Sequence, residues 1–358
     1  MPGADLAFST HVVDRQIDTD SAATGLPGLG AALDLRTMGS ALNAFTSAHG
    51  LTCADASVAS AEVIDLKFAK RALIAYELES SEGSWVLLGK HFADLAHGKR
   101  VYDTLSALFE LTNTESSRWG VPRPLAWLPE RGLFLYVAVW GRFLDEDIEA
   151  NTAICMARAA ECLAELHMSN LVLDRRLDLA KECNSVARWS QVIASTQPDL
   201  ATGAERLAGE LTRLSHVIDF ERDVPIHKDV HYRHMVMGPK LMLLDFDEMR
   251  LGDSSFDIAH FCAHLHLLAL RRGMSPEGLE RPFLEGYARH RTWTPDERFR
   301  FFFAYTCLKL AWLLCLQEGV PPRPVGADRH RQTAALLTLG AARLESFAGE
   351  LTSEAAGE

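Results

Sequence analysis

The hydrophobic period of this 358-residue chain is mainly two between about residues 60 and 140 and mainly helical beyond, and nothing else in it limits the fold so strongly. In the first of these stretches apolar and polar residues alternate. "AEVIDLKFAKRALIAYELE" (61–79) reads as two strands joined by a tight turn at "AKR", and "GSWVLLGKHF" (83–92) as a third. "VPRPLAWLPERGLFLYVAVWG" (121–141) reads as two more strands around the turn "PERG". A period of two buries one face of a strand. One helical pattern, "GKRVYDTLSALFEL" (98–111), interrupts the strands. From residue 149 apolar residues recur at i, i+3, i+4 and i+7, as in "EANTAICMARAAECLAELHMS", and helical patterns continue to the tail.

The expected architecture is therefore α+β. A small antiparallel-sheet lobe with one helix spans 56–140, and a larger, mainly helical lobe spans 141–350. Residues 1–55 form an arm and a helix, with Leu33, Leu35, Met38, Leu42 and Phe45 at helical spacing and Gly50 as its stop. A ligand cleft is expected between two lobes, where pockets commonly form. The formal net charge of -12 and the lack of a basic stripe argue against a nucleic-acid partner. The longest apolar runs, "HLHLLAL" and "LKLAWLLCL", are too short to span a bilayer, and the N-terminus lacks a signal-peptide pattern. Seven cysteines occur without a CxxC pair, four of them (Cys155, Cys162, Cys307 and Cys315) in apolar helical stretches. That usage fits a reducing compartment, and the expected location is cytoplasmic.

One segment breaks the helical pattern. In "HKDVHYRHMVMGPKLMLLDFDEMRLGDSSFDIAHF" (227–261), Asp229 lies in a loop before a short strand, "GPK" makes a turn, and "LMLLDF" forms the partner strand. Such a hairpin brings His234, at the start of its first strand, close to Asp245, at the end of its second, with Asp229 beside them. Phosphoryl transfer uses groups of this kind: one carboxylate to orient the attacking hydroxyl and accept its proton, and another to hold Mg²⁺ against phosphate oxygens.

This segment resembles the signature of the aminoglycoside phosphotransferase and choline kinase-like superfamily. That signature has a His-x-Asp loop, an Asn five residues after the Asp, a strand ending in Asp-Phe or Asp-Trp, and Gly-Asp-Pro-x-x-Asp. "GVPRPLAWLPERGLFLYVAVWGRFL", "ARAAECLAELH" and "FLEGYARH" are similar to other family segments in the same order, and the likeness covers about residues 60–315. It implies a two-lobed, protein kinase-like fold and an ATP-dependent small-molecule kinase, with GTP also permitted. The acceptor would be a hydroxyl on an amino sugar, sugar or amino alcohol. Asp229 matches the catalytic aspartate, Asp245 the metal-binding aspartate, and Lys90 the strand lysine that contacts nucleotide phosphates. His227 matches the loop histidine and Asp257 the aspartate that braces the catalytic loop. The hinge is Val137 to Trp140, with Ala138 and Trp140 offering backbone groups to adenine.

Three positions depart from the family pattern. His234 stands where the family has Asn and is expected to hold Mg²⁺ with Asp245, although a histidine ligand is softer than an amide oxygen. No glycine-rich phosphate loop is present, so Lys70 and Arg71 at the first turn are expected to supply charge there. The acidic partner of Lys90 is expected on the helix 98–111, which offers Asp103 and Glu110, with Asp103 preferred. These departures leave a second reading, a catalytically weakened nucleotide-binding or scaffolding protein. His260 and His264 are four apart and share a helix face, but lack a metal-ligand motif and read as part of a packed helix.

Overall fold

The structure is a computed structural model and describes residues 26–39, 42, 57–81, 83–321 and 323–354. In chain order its main elements begin with α1 (Leu29–Leu33), β1 (Ser57–Lys67), β2 (Arg71–Ser80), β3 (Gly83–Phe92) and α2 (Leu95–Thr112). They continue with β4 (Trp119–Gly120), β5 (Pro124–Leu128), β6 (Leu133–Val137), β7 (Arg142–Phe143), α3 (Leu144–Met168), α4 (Leu179–Thr196) and α5 (Ala201–Leu214). The last are β8 (Val224–Ile226), β9 (Met235–Met237), β10 (Leu241–Leu243), β11 (Arg250–Gly252), α6 (Ser254–Arg272), α7 (Pro276–His290), α8 (Glu297–Cys315) and α9 (Gly326–Glu354). The chain divides into two compact units: residues up to Phe143 with Val236–Asp247, and Leu144–Met235 with the residues from Glu248 onward.

The first unit is built on a five-stranded antiparallel sheet in the order β1-β2-β3-β6-β5. The expected strands are all present. Their period of two separates two faces, because successive side chains point to opposite sides. One face carries Ala72, Ile74, Tyr76, Leu87, Leu133 and Leu135, and packs against Leu26, Leu29, Ala32, Met38 and Leu42. The N-terminal segment therefore covers that face, and Tyr76 Oη donates to the Ala32 carbonyl at 2.8 Å. The expected helix positions Phe45 and Gly50 lie outside the described residues. The other face carries Leu73, Ala75, Val86, Leu88 and Tyr136, and Lys90 continues this row along β3. α2 starts three residues earlier than its periodicity predicts because Asp94 caps it, accepting from the His97 amide.

A second, four-stranded sheet has the order β4-β10-β9-β7. It holds Gly141 at φ 153°, where a Cβ would lie 2.6 Å from the Met237 carbonyl oxygen. Only glycine fits that approach.

The second unit is helical apart from the two-stranded pair β8–β11. α3 begins earlier than its periodicity suggests. Asp145, Glu146 and Asp147 occupy its first turn, where negative charge favours a helix start, and a kink at Asn151 joins this turn to the rest. α6 is buried from Ser254 to Ala269, and Phe299, Phe301, Phe302 and Phe303 of α8 are core residues. Cys155, Cys162, Cys307 and Cys315 are free thiols packed as small apolar groups. Among the described residues no helix is long and apolar enough to cross a membrane.

Candidate functional site

In the sheet unit, Lys90 is only 6 % exposed, and its Nζ donates to Asp245 Oδ1 at 2.7 Å and also to Asp247 Oδ1. A buried ammonium needs such partners. Asp245 makes the convergence possible by adopting φ 64° just beyond β10, a left-handed conformation that aspartate tolerates better than most residues. Arg71, at the start of β2, reaches the same carboxylates. Its guanidinium lies 3.2 Å from Asp247 Oδ2, 3.8 Å from Asp245 Oδ2 and 3.5 Å from Asp65 Oδ2. Burial alone would lower the Arg71 pKa, but these three carboxylates outweigh it and hold the pKa above the usual value.

The other residues expected in this unit take varied positions. Lys70 is exposed in the β1–β2 turn, with its backbone amide bonded to the Lys67 carbonyl. Ala138 is buried and its amide reaches the Val86 carbonyl at 3.4 Å, whereas the Trp140 side chain is exposed. Asp103 is not the partner of Lys90. Both its oxygens bind Lys99 Nζ, at 2.6 and 2.7 Å, on the exposed side of α2. The i,i+4 spacing of one helix makes Lys99 its natural partner. The counter-charges for Lys90 come instead from the segment after β10.

In the helical unit, Asp257 organises the loop that carries Asp229. The Asp257 carboxylate is fully buried and accepts the His227 amide at 2.6 Å, the Lys228 amide at 2.7 Å and His167 Nε2 at 3.2 Å. His167 Nε2 faces a carboxylate and therefore donates to it, and its Nδ1 lies 2.7 Å from Tyr287 Oη. Lys228 is held at φ 69°, so the loop carries local backbone strain immediately before Asp229. The Lys228 ammonium turns to Glu182 Oε1 at 2.7 Å. His227 is fully buried and its ring lies 5.7 Å from that of His234.

Asp229 Oδ1 lies 3.1 Å from Lys309 Nζ and 3.7 Å from His260 Nε2. Burial alone would raise the Asp229 carboxyl, but Lys309 foremost opposes this, and the carboxyl is held well below the usual range. Burial, the largest cause, pushes His231, His260 and His264 well below 6.5. At neutral pH these imidazoles are uncharged, and Lys309 supplies the positive charge beside Asp229.

A hard divalent cation takes carboxylate oxygens together with phosphate oxygens. Asp245 and Asp247 fit that donor set, since their oxygens already converge on one cation, the Lys90 ammonium. Among the described residues no group of three or more His, Cys, Asp or Glu side chains is placed to hold a metal ion alone. Nucleotide phosphates would therefore have to complete the shell. His234 donates Nδ1–H to the Asp229 carbonyl at 2.8 Å, and so ties the strand start to the loop.

Sequence reading alone missed Asp247, Asp65 and Lys309. Asp247 sits two residues after Asp245 and was legible as the second acid of "DFD". Asp65 and Lys309 had no local signal, because β-pairing and helix packing bring them in from distant positions.

A family model described as the phosphotransferase enzyme family matches residues 75–299, well over half of the chain. Curated proteins give no match to this sequence. Among solved structures, the chain is similar to spectinomycin phosphotransferase in complex with ADP and spectinomycin, at 13% identity, TM-score 0.54, and coverage of 80% of this chain and 94% of that one. It is similar to the choline kinase LicA from Streptococcus pneumoniae at 15% identity, TM-score 0.52, and coverage of 78% and 94%. It is also similar to the amicoumacin kinase hAmiN, bound to AMP-PNP, Ca²⁺ and Ami, at 15% identity, TM-score 0.52, and coverage of 78% and 87%. At these identities the structures share the fold, which is the kinase-like α+β architecture expected from the sequence. With the family model spanning both the strand lysine and the aspartates of the polar segment, the chain belongs to the phosphotransferase enzyme family.

Proposed function

We propose that the protein is an ATP-dependent phosphotransferase that phosphorylates a hydroxyl group of a small molecule. The observation that carries this reading is the ion pair between Lys90 Nζ and Asp245 Oδ1 at 2.7 Å. A strand lysine and a strand-end aspartate, 155 residues apart in sequence, meet as a phosphate-and-cation site requires. The ADP and AMP-PNP named with two of the similar structures support an adenine nucleotide.

In this reading Lys90 neutralises nucleotide phosphates, and Arg71, already among the same carboxylates, adds charge where a glycine-rich loop would offer amides. Lys70 lies in the adjoining turn, and Ala138 and Trp140 present the hinge backbone to the base. Asp245 and Asp247 hold a divalent cation, taken as Mg²⁺, which supplies further positive charge at the phosphate oxygens. Asp229 orients the acceptor hydroxyl and takes its proton. Asp257, through the two amides it accepts, fixes the loop on which Asp229 sits, while His227 and His234 pack behind that loop.

The test is ATP consumption over a panel of sugars, amino sugars and amino alcohols, with mass spectrometry of each acceptor for a gained phosphoryl group. Wild type should transfer to at least one acceptor and Asp229→Asn to none. Equal background in both proteins with every acceptor would reject the reading.

A further inference from the structure

The acceptor side of Asp229 carries a cation that the family signature does not contain. Lys309 projects from α8, 80 residues beyond Asp229, and its Nζ lies 3.1 Å from Asp229 Oδ1. Both groups remain reachable, with side chains 22% and 38% exposed. The nearby carboxylates of this unit are matched internally. Glu182 is bound by Lys228 Nζ and by Tyr305 Oη, a residue one turn before Lys309 on α8. Asp257 is taken by two backbone amides and His167. Asp145 is taken by Arg233 and Arg272.

We infer that Lys309 sets acceptor specificity, so that the alcohol presented to Asp229 is acidic or uncharged rather than ammonium-bearing. The inference rests on Asp229 being the group that meets the acceptor hydroxyl. An ammonium beside that hydroxyl would face Lys309 at close range, and the carboxylates of Glu182, Asp257 and Asp145 are already paired with cations or amides. A carboxylate or phosphate on the acceptor would instead gain a charge-assisted hydrogen bond from Lys309 and release Asp229 from its ion pair. The chief opposing feature is aromatic. Trp312, one turn after Lys309, stacks on Trp189 at 5.4 Å, and indole faces attract ammonium groups. Lys309 lies on the same side of the helix and disfavours a second cation there. On this inference the chain differs in acceptor from the choline kinase whose fold it shares, because choline is a quaternary ammonium alcohol.

The experiment uses matched sets of alcohols that differ in one group: glycerate, glycerol and serinol, and gluconate, glucose and glucosamine. Binding is read as thermal stabilisation in the presence of Mg²⁺ and AMP-PNP, and transfer as kcat and KM with Mg²⁺ and ATP. For wild type, the acidic or uncharged member should outperform its ammonium counterpart by about tenfold or more, chiefly in KM, a difference one like-charge contact supplies. Lys309→Arg should keep the order, Lys309→Met should level it, and Lys309→Glu should reverse it, with AMP-PNP stabilisation retained to show that each variant is folded. An ammonium member bound by wild type as well as its counterparts, an order unchanged by Lys309→Glu, or no member bound at all would overturn the inference. Binding in the expected order without transfer to any member would reject the transferase reading alone.

Discussion

At the residue scale, the two aspartates of the helical unit carry separable loads. Asp229 is half-exposed beside Lys309, so its amide variant removes charge without opening a cavity. With Asp229 as the base proposed above, Asp229→Asn should lower kcat by about 10²–10⁴, while AMP-PNP affinity measured by calorimetry stays near wild type. Asp257 is different because it accepts two backbone amides in a site with no exposure. Asp257→Asn sets an NH₂ group against one of those amides, and should cost about 2–4 kcal/mol in urea unfolding, since a buried donor left unmatched carries its full desolvation penalty. At the proposed cation site, Asp245→Asn and Asp247→Asn should each abolish any extra thermal stabilisation that Mg²⁺ adds to AMP-PNP binding. His234→Ala should retain that increment and lower only overall stability, because the ring braces the Asp229 carbonyl.

At the element scale, two features hold the sheet unit together. The first is the turn after β6, where Gly141 holds φ 153° and an added Cβ would lie 2.6 Å from the Met237 carbonyl oxygen and 2.7 Å from Val236 Cγ1. Gly141→Ala should destabilise the fold by roughly 2–3 kcal/mol, combining backbone strain with a contact against unyielding main chain, and calorimetric melting would report it. The second is the covering of the sheet by the N-terminal segment. It is held by apolar burial, by the bond from Tyr76 to Ala32, and by His91, whose ring nitrogens lie 2.7 and 3.0 Å from the Arg131 and Pro27 carbonyl oxygens. Here β3 works on both faces: its even positions include Lys90, and its odd positions include His91 against the covering segment. A one-residue slip would exchange the two.

At the scale of the whole molecule, the buried histidines link stability to pH. His231, His260 and His264 have folded-state pKa values well below 6.5, with burial the largest cause. A histidine depressed in the folded state binds its proton more readily when unfolded. It therefore contributes stability above pH 6.5 that is lost as the pH falls. Each such group adds a slope of up to roughly 1.4 kcal/mol per pH unit, so urea unfolding at pH 7.5 and 5.5 should show a steep loss on acidification. His264→Phe should flatten that slope. Glu182 and Glu280 add a second phase at lower pH. Burial would raise both carboxyls, but Lys228 for the first and His266 with Arg343 for the second hold them below 4.5, so their contribution disappears as the pH falls further.

The periodicity of the chain determined the strands, the helices and their order, because burial of one face is written into local spacing. The resemblance of "HKD", "LLDFD" and "GDSSFD" to a family signature marked Asp229, Asp245 and Asp257 as a set. The partners of those residues were decided only by tertiary structure. Lys90 pairs with Asp245 and Asp247 rather than Asp103, Arg71 joins them beside Asp65, and Lys309 reaches Asp229. Charge pairing depends on distances of a few ångströms between groups that lie tens of residues apart. Those distances are set by strand register and helix packing, which no local pattern records.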